Sequence, residues 1–275
     1  MNTDRFKKLI WSYYNRHGRH TLPWRFHGAT PARGGQAYKI LVSEVMLQQT
    51  QVDRVIPKYK HFIKTFPNFS SLAKTPLKEV LRGWQGLGYN RRALRLKRTA
   101  EIVVTEYGGR LPHDEQKLLQ LPGIGPYTAG AIRAFAFNKP AVFIETNIRA
   151  VFLHHFFPAK KKVRDKEVVR HIVQTLPVGK SHREWYYALM DYGAHIKTQT
   201  ANPNRRSTHY AKQPRFKGSN RELRGKILKI LLVKSHSAPA LVTALGVSQK
   251  KLARALKQLQ QEKLLRKHSA VFSIA

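Results

Sequence analysis

Apolar residues recur at spacings of three and four along most of the first 195 residues, which is the pattern of amphipathic helices. Strand-like alternation is nearly absent before residue 264. Short turn signals such as Phe66-Pro67-Asn68 and Asn138-Lys139-Pro140 separate the apolar stretches. The pattern therefore predicts an all-α main body, with helices over residues 3–17, 36–50, 53–66, 76–84, 91–107, 114–120, 127–137, 146–157, 165–175 and 182–195.

The pattern changes at residues 197–220, which contain six Lys/Arg, two prolines and no acid. We expect a basic connector there, either solvated or lying along a polyanionic backbone.

Residues 221–275 are expected to form a separate module. The spacing predicts helices over 221–233, 238–245 and 249–263, the last capped by Ser248, and then a short hairpin around His268-Ser269. Three helices and a hairpin resemble a winged helix. Its third helix, where helix-turn-helix proteins place their groove-contacting residues, carries Lys250, Lys251, Arg254 and Lys257. A winged helix that docks on another protein is the alternative.

The net charge of the chain indicates which class of partner it binds. The chain has 275 residues, with 51 Lys+Arg against 15 Asp+Glu, a formal charge of +36. At 42% hydrophobic it is not a disordered polycation, and it has room for two or three domains. Such an excess favours nucleic acid as the partner over a merely basic soluble protein. A membrane is not expected, since we find no 18-residue apolar run and no signal-peptide core.

The sequence contains no cysteine. Disulfides, thiolate zinc sites and cysteine-ligated iron–sulfur clusters are therefore excluded. We expect no metal and no cofactor, and a reducing compartment such as a bacterial cytoplasm.

Two glutamates stand out because acids are scarce. Glu44 is the sole acid in the apolar helical stretch KILVSEVMLQQT (39–50). Loss of hydration there raises a carboxyl pKa and suits a general acid, although a structural buried Glu is equally compatible. Glu145, in FIETNI (143–148), lies at a loop-to-helix junction that favours an anion, and a simple helix cap is the alternative. Two carboxyl groups in different environments suit cleavage of a glycosidic bond.

Two glycine-rich turns suggest contacts with a phosphate backbone. LPGIGPYTA (121–129) matches a helix-hairpin-helix, in which Gly123 and Gly125 allow a tight turn and backbone N–H groups hold a phosphate. A plain interhelical turn is the alternative.

The second turn, WQGLGYNRRA (84–93), offers Leu87 and Tyr89 as wedges into a base stack, with Arg91 and Arg92 for phosphates. Ordinary anchoring of these side chains in the core is the alternative.

Together, several long motifs resemble the adenine DNA glycosylases of the MutY family, which belong to the helix-hairpin-helix glycosylases with endonuclease III. The resemblance spans about residues 5–200. It is carried by LPWR (22–25), SEVMLQQTQV (43–52), VIPKYKHFIKTFP (55–67), GLGYNRRA (86–93), LPGIGPYTAGAI (121–132) and ALMDYGAHI (188–196).

The resemblance implies a two-lobed all-α fold that flips a base out of duplex DNA. Residues 31–140 would form a six-helix barrel with the hairpin motif. Residues 1–30 and 141–217 would form the second lobe, the equivalent of the family's iron–sulfur domain without its cluster.

The family's site residues transfer by motif. Glu44 would protonate the flipped base, while Glu145 stands where the family has its catalytic aspartate and would face the cationic sugar. Asn147 and Tyr127 would support that carboxylate. The remaining roles concern the base pocket and the gap left by flipping: Arg25 and Tyr187 would line the pocket, Gln49 and Leu87 would fill or flank the gap, and Thr50 and Tyr89 would contact the opposite strand.

Several positions depart from the family. Lys197, Asn204 or Arg205, and Ser207 or Thr208 stand in the region of the missing cluster. Tyr187 replaces the Glu or Gln that the family often uses against adenine, and residues 221–275 replace its Nudix-like domain. Tyr127 stands where endonuclease III has its Schiff-base lysine, which predicts a monofunctional enzyme.

The sequence therefore predicts a base-excision repair glycosylase for adenine opposite 8-oxoguanine or guanine. The alternatives are a thymine or uracil mismatch glycosylase on the same scaffold, and a catalytically weak lesion-binding protein. We expect a monomer at the bacterial nucleoid, bound to duplex DNA with a mismatch or lesion, and residues 221–275 as a possible contact for a repair protein.

Overall fold

The computed structural model describes residues 1–25 and 35–275, and it is mostly helical. The helices, numbered in chain order, are α1 (Thr3–His17), α2 (Gln36–Leu47), α3 (Val52–Thr65), α4 (Phe69–Lys74), α5 (Leu77–Gly83), α6 (Arg91–Tyr107), α7 (Glu115–Gln120), α8 (Pro126–Phe137), α9 (Thr146–Phe156), α10 (Asp165–Thr175), α11 (His182–Gln199), α12 (Asn220–Val233), α13 (Ala238–Leu245) and α14 (Gln249–Gln261). A 3-10 helix covers Pro203–Arg206, and the strands are β1 (His236–Ser237), β2 (Leu265–His268) and β3 (Val271–Ile274).

The predicted all-α main body is confirmed, and most helix ends agree to within a residue or two. α2 ends at Leu47, three residues earlier than expected, and α11 continues to Gln199, four residues later. α4 was not predicted, because six residues are too few to show a helical period. Its signal is local, since the Asn68 and Ser71 side chains each accept from the other's backbone N–H in a capping box.

The chain divides into two compact units. Unit 1 comprises Met1–Glu44, Pro112–Gln120 and Ile124–Lys212, and unit 2 comprises Val45–Leu111, Leu121–Gly123 and Gln213–Ala275. The lobes and module predicted from the sequence stay a prediction, and their boundary at residue 30/31 lies outside the described residues. Across residues 1–25 and 35–275, no helix combines the length and the apolar character needed to cross a bilayer.

Unit 1 is built on an aromatic core between α1, α9 and α11. The Phe6 ring of α1 lies 5.3 Å from Phe152 of α9 and 6.2 Å from Trp185 of α11. α9 and α11 also approach closely at Gly193, where an added Cβ would lie 2.1 Å from the carbonyl oxygen of Asn147. Only a glycine allows this contact, so α11 fixes the start of α9.

Part of the predicted connector is packed against α9. Asn204 is buried and donates to the carbonyl of Thr146 at 3.0 Å, in the first turn of α9. Arg206 donates to the carbonyl of Leu153 at 2.8 Å, in the last turn. Residues 203–208 are therefore ordered structure and not a solvated linker, because their side chains hydrogen-bond to both ends of one helix.

The C-terminal part of unit 2 contains the three predicted helices and the predicted hairpin. β2 pairs antiparallel with β3, with Leu265 opposite Ile274, and β3 also pairs with the short, unpredicted strand β1. Ser248 caps α14 by accepting from the N–H of Lys251 at 3.4 Å, as predicted. Assignment of this module as a winged helix remains a prediction.

Candidate active site

Glu44 lies in the apolar helix α2 and is only 4% exposed. Burial raises the pKa of its carboxyl to about 7, and the nearby charge of Glu145 also raises it. The hydroxyl of Tyr127 donates to Oε2 of Glu44 at 3.1 Å, which partly opposes the rise. A carboxyl group with this pKa carries a proton in a useful fraction of molecules at neutral pH.

Tyr127 is the second residue of α8, which starts at Pro126 after the hairpin motif. Its ring packs edge-on against Phe143 at 5.8 Å. Burial, together with the carboxyl groups of Glu44 and Glu145, raises its pKa well above the usual value. The phenol is therefore a neutral hydrogen-bond donor to Glu44, whereas the resemblance implied that Tyr127 would support Glu145.

Glu145 is the N-cap of α9 and is partly exposed. Its Oε2 accepts from the backbone N–H of Asn147 at 2.6 Å, and its Oε1 accepts from Asn147 Nδ2 at 3.2 Å. Burial raises the pKa of Glu145, while these bonds, a bond from the N–H of Ile148 and the charge of Lys197 lower it. Donors that favour the anion therefore converge on Glu145, whereas in the described part of the chain Glu44 has one neutral phenol.

Asn147 is held from two sides. Its Nδ2 reaches Glu145, and its main chain lies against Gly193 of α11. Its Oδ1 is buried without a hydrogen-bond partner among the described residues. The side chain thus orients the Glu145 carboxylate and leaves one acceptor for a further group.

The two residues predicted for the base pocket are stacked on each other. The guanidinium of Arg25 lies 4.4 Å from the centroid of the Tyr187 ring, and that ring stacks on Phe135 at 4.8 Å. Arg25 also donates to both oxygens of Asp191, each at 2.7 Å. Burial alone would raise the pKa of Asp191, but Arg25 and Arg19 hold it below its usual range.

Asp191 and Lys197 are site residues that the sequence reasoning missed. Asp191 was visible only as the single acid of ALMDYGAHI (188–196). Lys197 was noted for the lost cluster and not for its charge near Glu145. Among the described residues, no group of three or more His, Asp or Glu could hold a metal ion.

The hairpin motif has the predicted backbone. Gly123 has φ of +84°, where an added Cβ would meet the side chain of Arg95 at 3.0 Å. Gly125 is the N-cap of α8, and nothing lies within 4 Å of the Cβ position there. The open side of Gly125 gives a phosphate access to the backbone at the start of α8.

The Arg92 side chain forms hydrogen bonds within the protein, whereas the sequence predicted that it would contact a DNA phosphate. It is buried and donates to the carbonyl oxygens of Val45 and Met46 at 2.7 and 3.0 Å and to Thr50 Oγ1 at 3.1 Å. Burial lowers its pKa to about 10. Arg92 therefore braces the end of α2, and the neighbouring Arg91 is exposed.

The other turn residues divide by exposure. Leu87 is only 3% exposed, which agrees with the alternative of a core anchor for this side chain. Tyr89 and Gln49 are exposed, and both have positive φ, of 47° and 55°. A non-glycine residue held in this region is strained, and such strain is frequent at functional sites. Lys250, Lys251, Arg254 and Lys257 are exposed on α14.

Comparison with known proteins gives one family. Residues 42–177 match the model of the HhH-GPD superfamily of base excision DNA repair proteins. The chain is 36% identical to an adenine DNA glycosylase of Mycolicibacterium smegmatis over 238 residues, which cover 80% of this chain and 78% of that protein. It is 38% identical to an adenine DNA glycosylase of Buchnera aphidicola over 197 residues, 71% of this chain.

The chain spans about half the length of that Buchnera protein, 54%. Among solved structures, it resembles a thermostable thymine-DNA glycosylase with a TM-score of 0.63 and 29% identity. That match covers 73% of this chain and 90% of the other.

Proposed function

This chain belongs to the adenine DNA glycosylase family of the HhH-GPD superfamily, and we propose that it hydrolyses the N-glycosidic bond of a flipped base in duplex DNA. The observation that carries the proposal is the pair of carboxyl groups at the start of α9 and in α2. They lie in one unit, the charge of Glu145 raises the pKa of Glu44, and the two have different hydrogen-bond donors.

The two carboxyl groups divide the chemistry. Protonated Glu44 donates its proton to a nitrogen of the base as the bond between that base and C1′ breaks. The electron pair of the bond leaves with the base, and the sugar becomes an oxocarbenium-like cation. Anionic Glu145, oriented by Asn147, stabilises this cation until water adds at C1′ and leaves an abasic site.

Tyr127 makes the enzyme monofunctional in this proposal. An imine with C1′ needs an amine, and the side chain beside Glu44 is a phenol with a raised pKa. Strand cleavage by β-elimination is therefore a minor product, and the abasic site is the main one.

Adenine opposite 8-oxoguanine or guanine is the proposed substrate, supported by the relatives named adenine DNA glycosylase. A thymine or uracil mismatch is the second candidate. It is supported by the likeness to a thymine-DNA glycosylase. It is also supported by Tyr187, whose ring is buried between Phe135 and Arg25 and lacks the carboxyl or amide group that a Glu or Gln at this position would present to adenine.

Duplex DNA is the proposed partner, in keeping with the charge of +36. Gly123, Gly125 and Arg91 would hold the backbone of the strand that carries the flipped base. The exposed cations of α14, Lys250, Lys251 and Arg254, would make further phosphate contacts if the module docks on DNA and not on a repair protein.

The test is single-turnover cleavage of labelled duplexes that pair A, T, U or C with G, and A with 8-oxoguanine, with alkali added to reveal abasic sites. Product in the adenine lanes that disappears in Glu44→Gln supports the proposal. Product in the T or U lanes alone would identify a thymine or uracil mismatch, the second candidate, as the substrate. Tight binding with no product in any lane contradicts a glycosylase and favours a lesion-binding protein.

A further inference from the structure

A pocket of about 600 Å³ in unit 2 is only partly used by the proposed function. Its lining includes Thr50 and Tyr89, the residues expected at the opposite strand, and Gln49, which is expected at the gap left by flipping. Ten of the residues that line the pocket lie within 213–232, at the end of the basic connector and in α12, and the others lie within 49–90. The motifs that carry the resemblance end at residue 196, so they assign no role to residues 213–232.

Hydrogen bonds join this segment to Gln49 and Tyr89. Gln213 Nε2 donates to Gln49 Oε1 at 3.4 Å and also to the hydroxyl of Tyr89. Arg221 Nη1 donates to the same hydroxyl at 2.6 Å, and its guanidinium lies 5.5 Å from the centre of the Tyr89 ring. The connector and the glycine-rich turn therefore present one continuous polar edge.

The chemistry of the pocket suits a nucleotide. Leu81, Leu228 and Leu232 supply an apolar surface. Phe216, whose side chain is 58% exposed, supplies a ring on which a base can stack. The cations that line the pocket outnumber its one acid, Glu222: they are Arg54, Arg221, Lys226 and Lys229.

The segment is suited to assist DNA binding and not to block it. A segment that blocks DNA binding by pairing with the basic residues of the pocket would itself have to be acidic. Residues 209–221 contain Lys212, Arg215, Lys217 and Arg221 and no acid. Their charge therefore adds to the attraction for phosphate.

We propose that Gln213 and Arg221 extend the site expected for the opposite strand at Thr50 and Tyr89, and that they contact a guanine-type base there. Arg221 spends two of its five N–H donors in the described contacts, on Tyr89 and on the carbonyl of Pro214. The others are available for O6 and N7, the acceptors by which arginine recognises guanine. In 8-oxoguanine N7 carries a hydrogen, so O6 is the acceptor that the two bases share. The proposal rests on the proposed function, since it needs a base pair that has been opened.

The experiment measures binding separately from cleavage. Gln213→Ala and Arg221→Gln are placed in the Glu44→Gln background, and anisotropy titrations compare labelled duplexes in which A is paired with G, 8-oxoguanine or C. We expect the preference for G or 8-oxoguanine over C to fall about tenfold in Arg221→Gln and less in Gln213→Ala. The two guanine-type duplexes show whether the 8-oxo group adds to the contact.

Lys250→Gln is the matched control, because loss of a phosphate contact weakens binding to all duplexes alike. If Arg221→Gln lowered the affinity for every duplex equally, Arg221 would be a phosphate contact and not a base contact, and the proposal would be overturned. Unchanged affinity of the variants for all duplexes would show that DNA does not use the pocket. Tighter binding by the variants would show that residues 209–221 block DNA binding. Absence of cleavage by the wild-type chain would contradict the proposed function alone, since these titrations need no turnover.

Discussion

Glu44 and Glu145 have the same side chain, and burial raises the pKa of both. Their settings differ in the donors. Glu44 sits within a helix whose backbone N–H groups are used internally, and among the described residues its hydrogen-bond donor is the Tyr127 phenol. Glu145 caps a helix, where N–H groups lack partners, and accepts from Asn147 twice. Position relative to a helix end thus decides how many hydrogen-bond donors favour the anion of each carboxyl group.

Removing the proton on Glu44 breaks this division most completely. We expect Glu44→Gln to lower the single-turnover rate by about 1000-fold, within the range of general acid catalysis. DNA affinity should stay within a few-fold, because the side chain is buried. Quench-flow or manual sampling on the preferred duplex measures the rate. Glu106→Gln, an exposed acid on α6, is the matched control and should keep full activity. A Glu44→Gln rate within tenfold of the wild type would rule out Glu44 as the acid.

The same variant tests the pKa through stability. Burial raises the pKa of Glu44 from 4.5 to about 7, so the native state binds this proton more tightly than the unfolded state. The free energy of unfolding should therefore fall as pH rises through this interval, by about 3 kcal/mol from this group. Glu44→Gln lacks that loss. Denaturant titrations at pH 5 and pH 8 measure the free energy of unfolding of both proteins. From pH 5 to pH 8 the wild type should lose about 3 kcal/mol more of this free energy than the variant. Equal changes in both proteins would contradict a raised pKa.

Tyr127 allows a finer adjustment of Glu44 alone. Its hydrogen bond lowers the pKa of Glu44, so Tyr127→Phe should raise that pKa by about one unit. A general acid works when protonated, and the rate should decline with pH at a correspondingly higher pH in the variant. A pH series of single-turnover rates measures this shift. Tyr107→Phe, at the end of α6, should leave the profile in place, and a Tyr127→Phe profile shifted to lower pH would contradict the assigned roles.

The sequence predicts one of these carboxyl settings better than the other. An acid alone in an apolar stretch already indicates a raised pKa, and the structure agrees for Glu44. The loop-to-helix junction at Glu145 was also visible. The contacts of Asn204, Lys197 and Gly193 with this region were not, because they join residues about fifty apart along the chain and have no local period. Arg92 shows the same limit, since nothing in an Arg-Arg pair tells which side chain turns inward.

The smallest expected effect acts on the Glu145 side alone. Asn204 donates to the carbonyl of Thr146, next to Glu145. Asn204→Ala should loosen the first turn of α9 and lower the single-turnover rate a few-fold, by an ångström-scale loss of positioning. Since Glu44 is untouched, the pH at which the rate declines should not move. Gln199→Ala, at the exposed end of α11, controls for a surface change in the same unit. A displaced pH profile in Asn204→Ala would mean that the two carboxyl groups are not set independently, because a change at the cap of α9 would then reach the proton on Glu44.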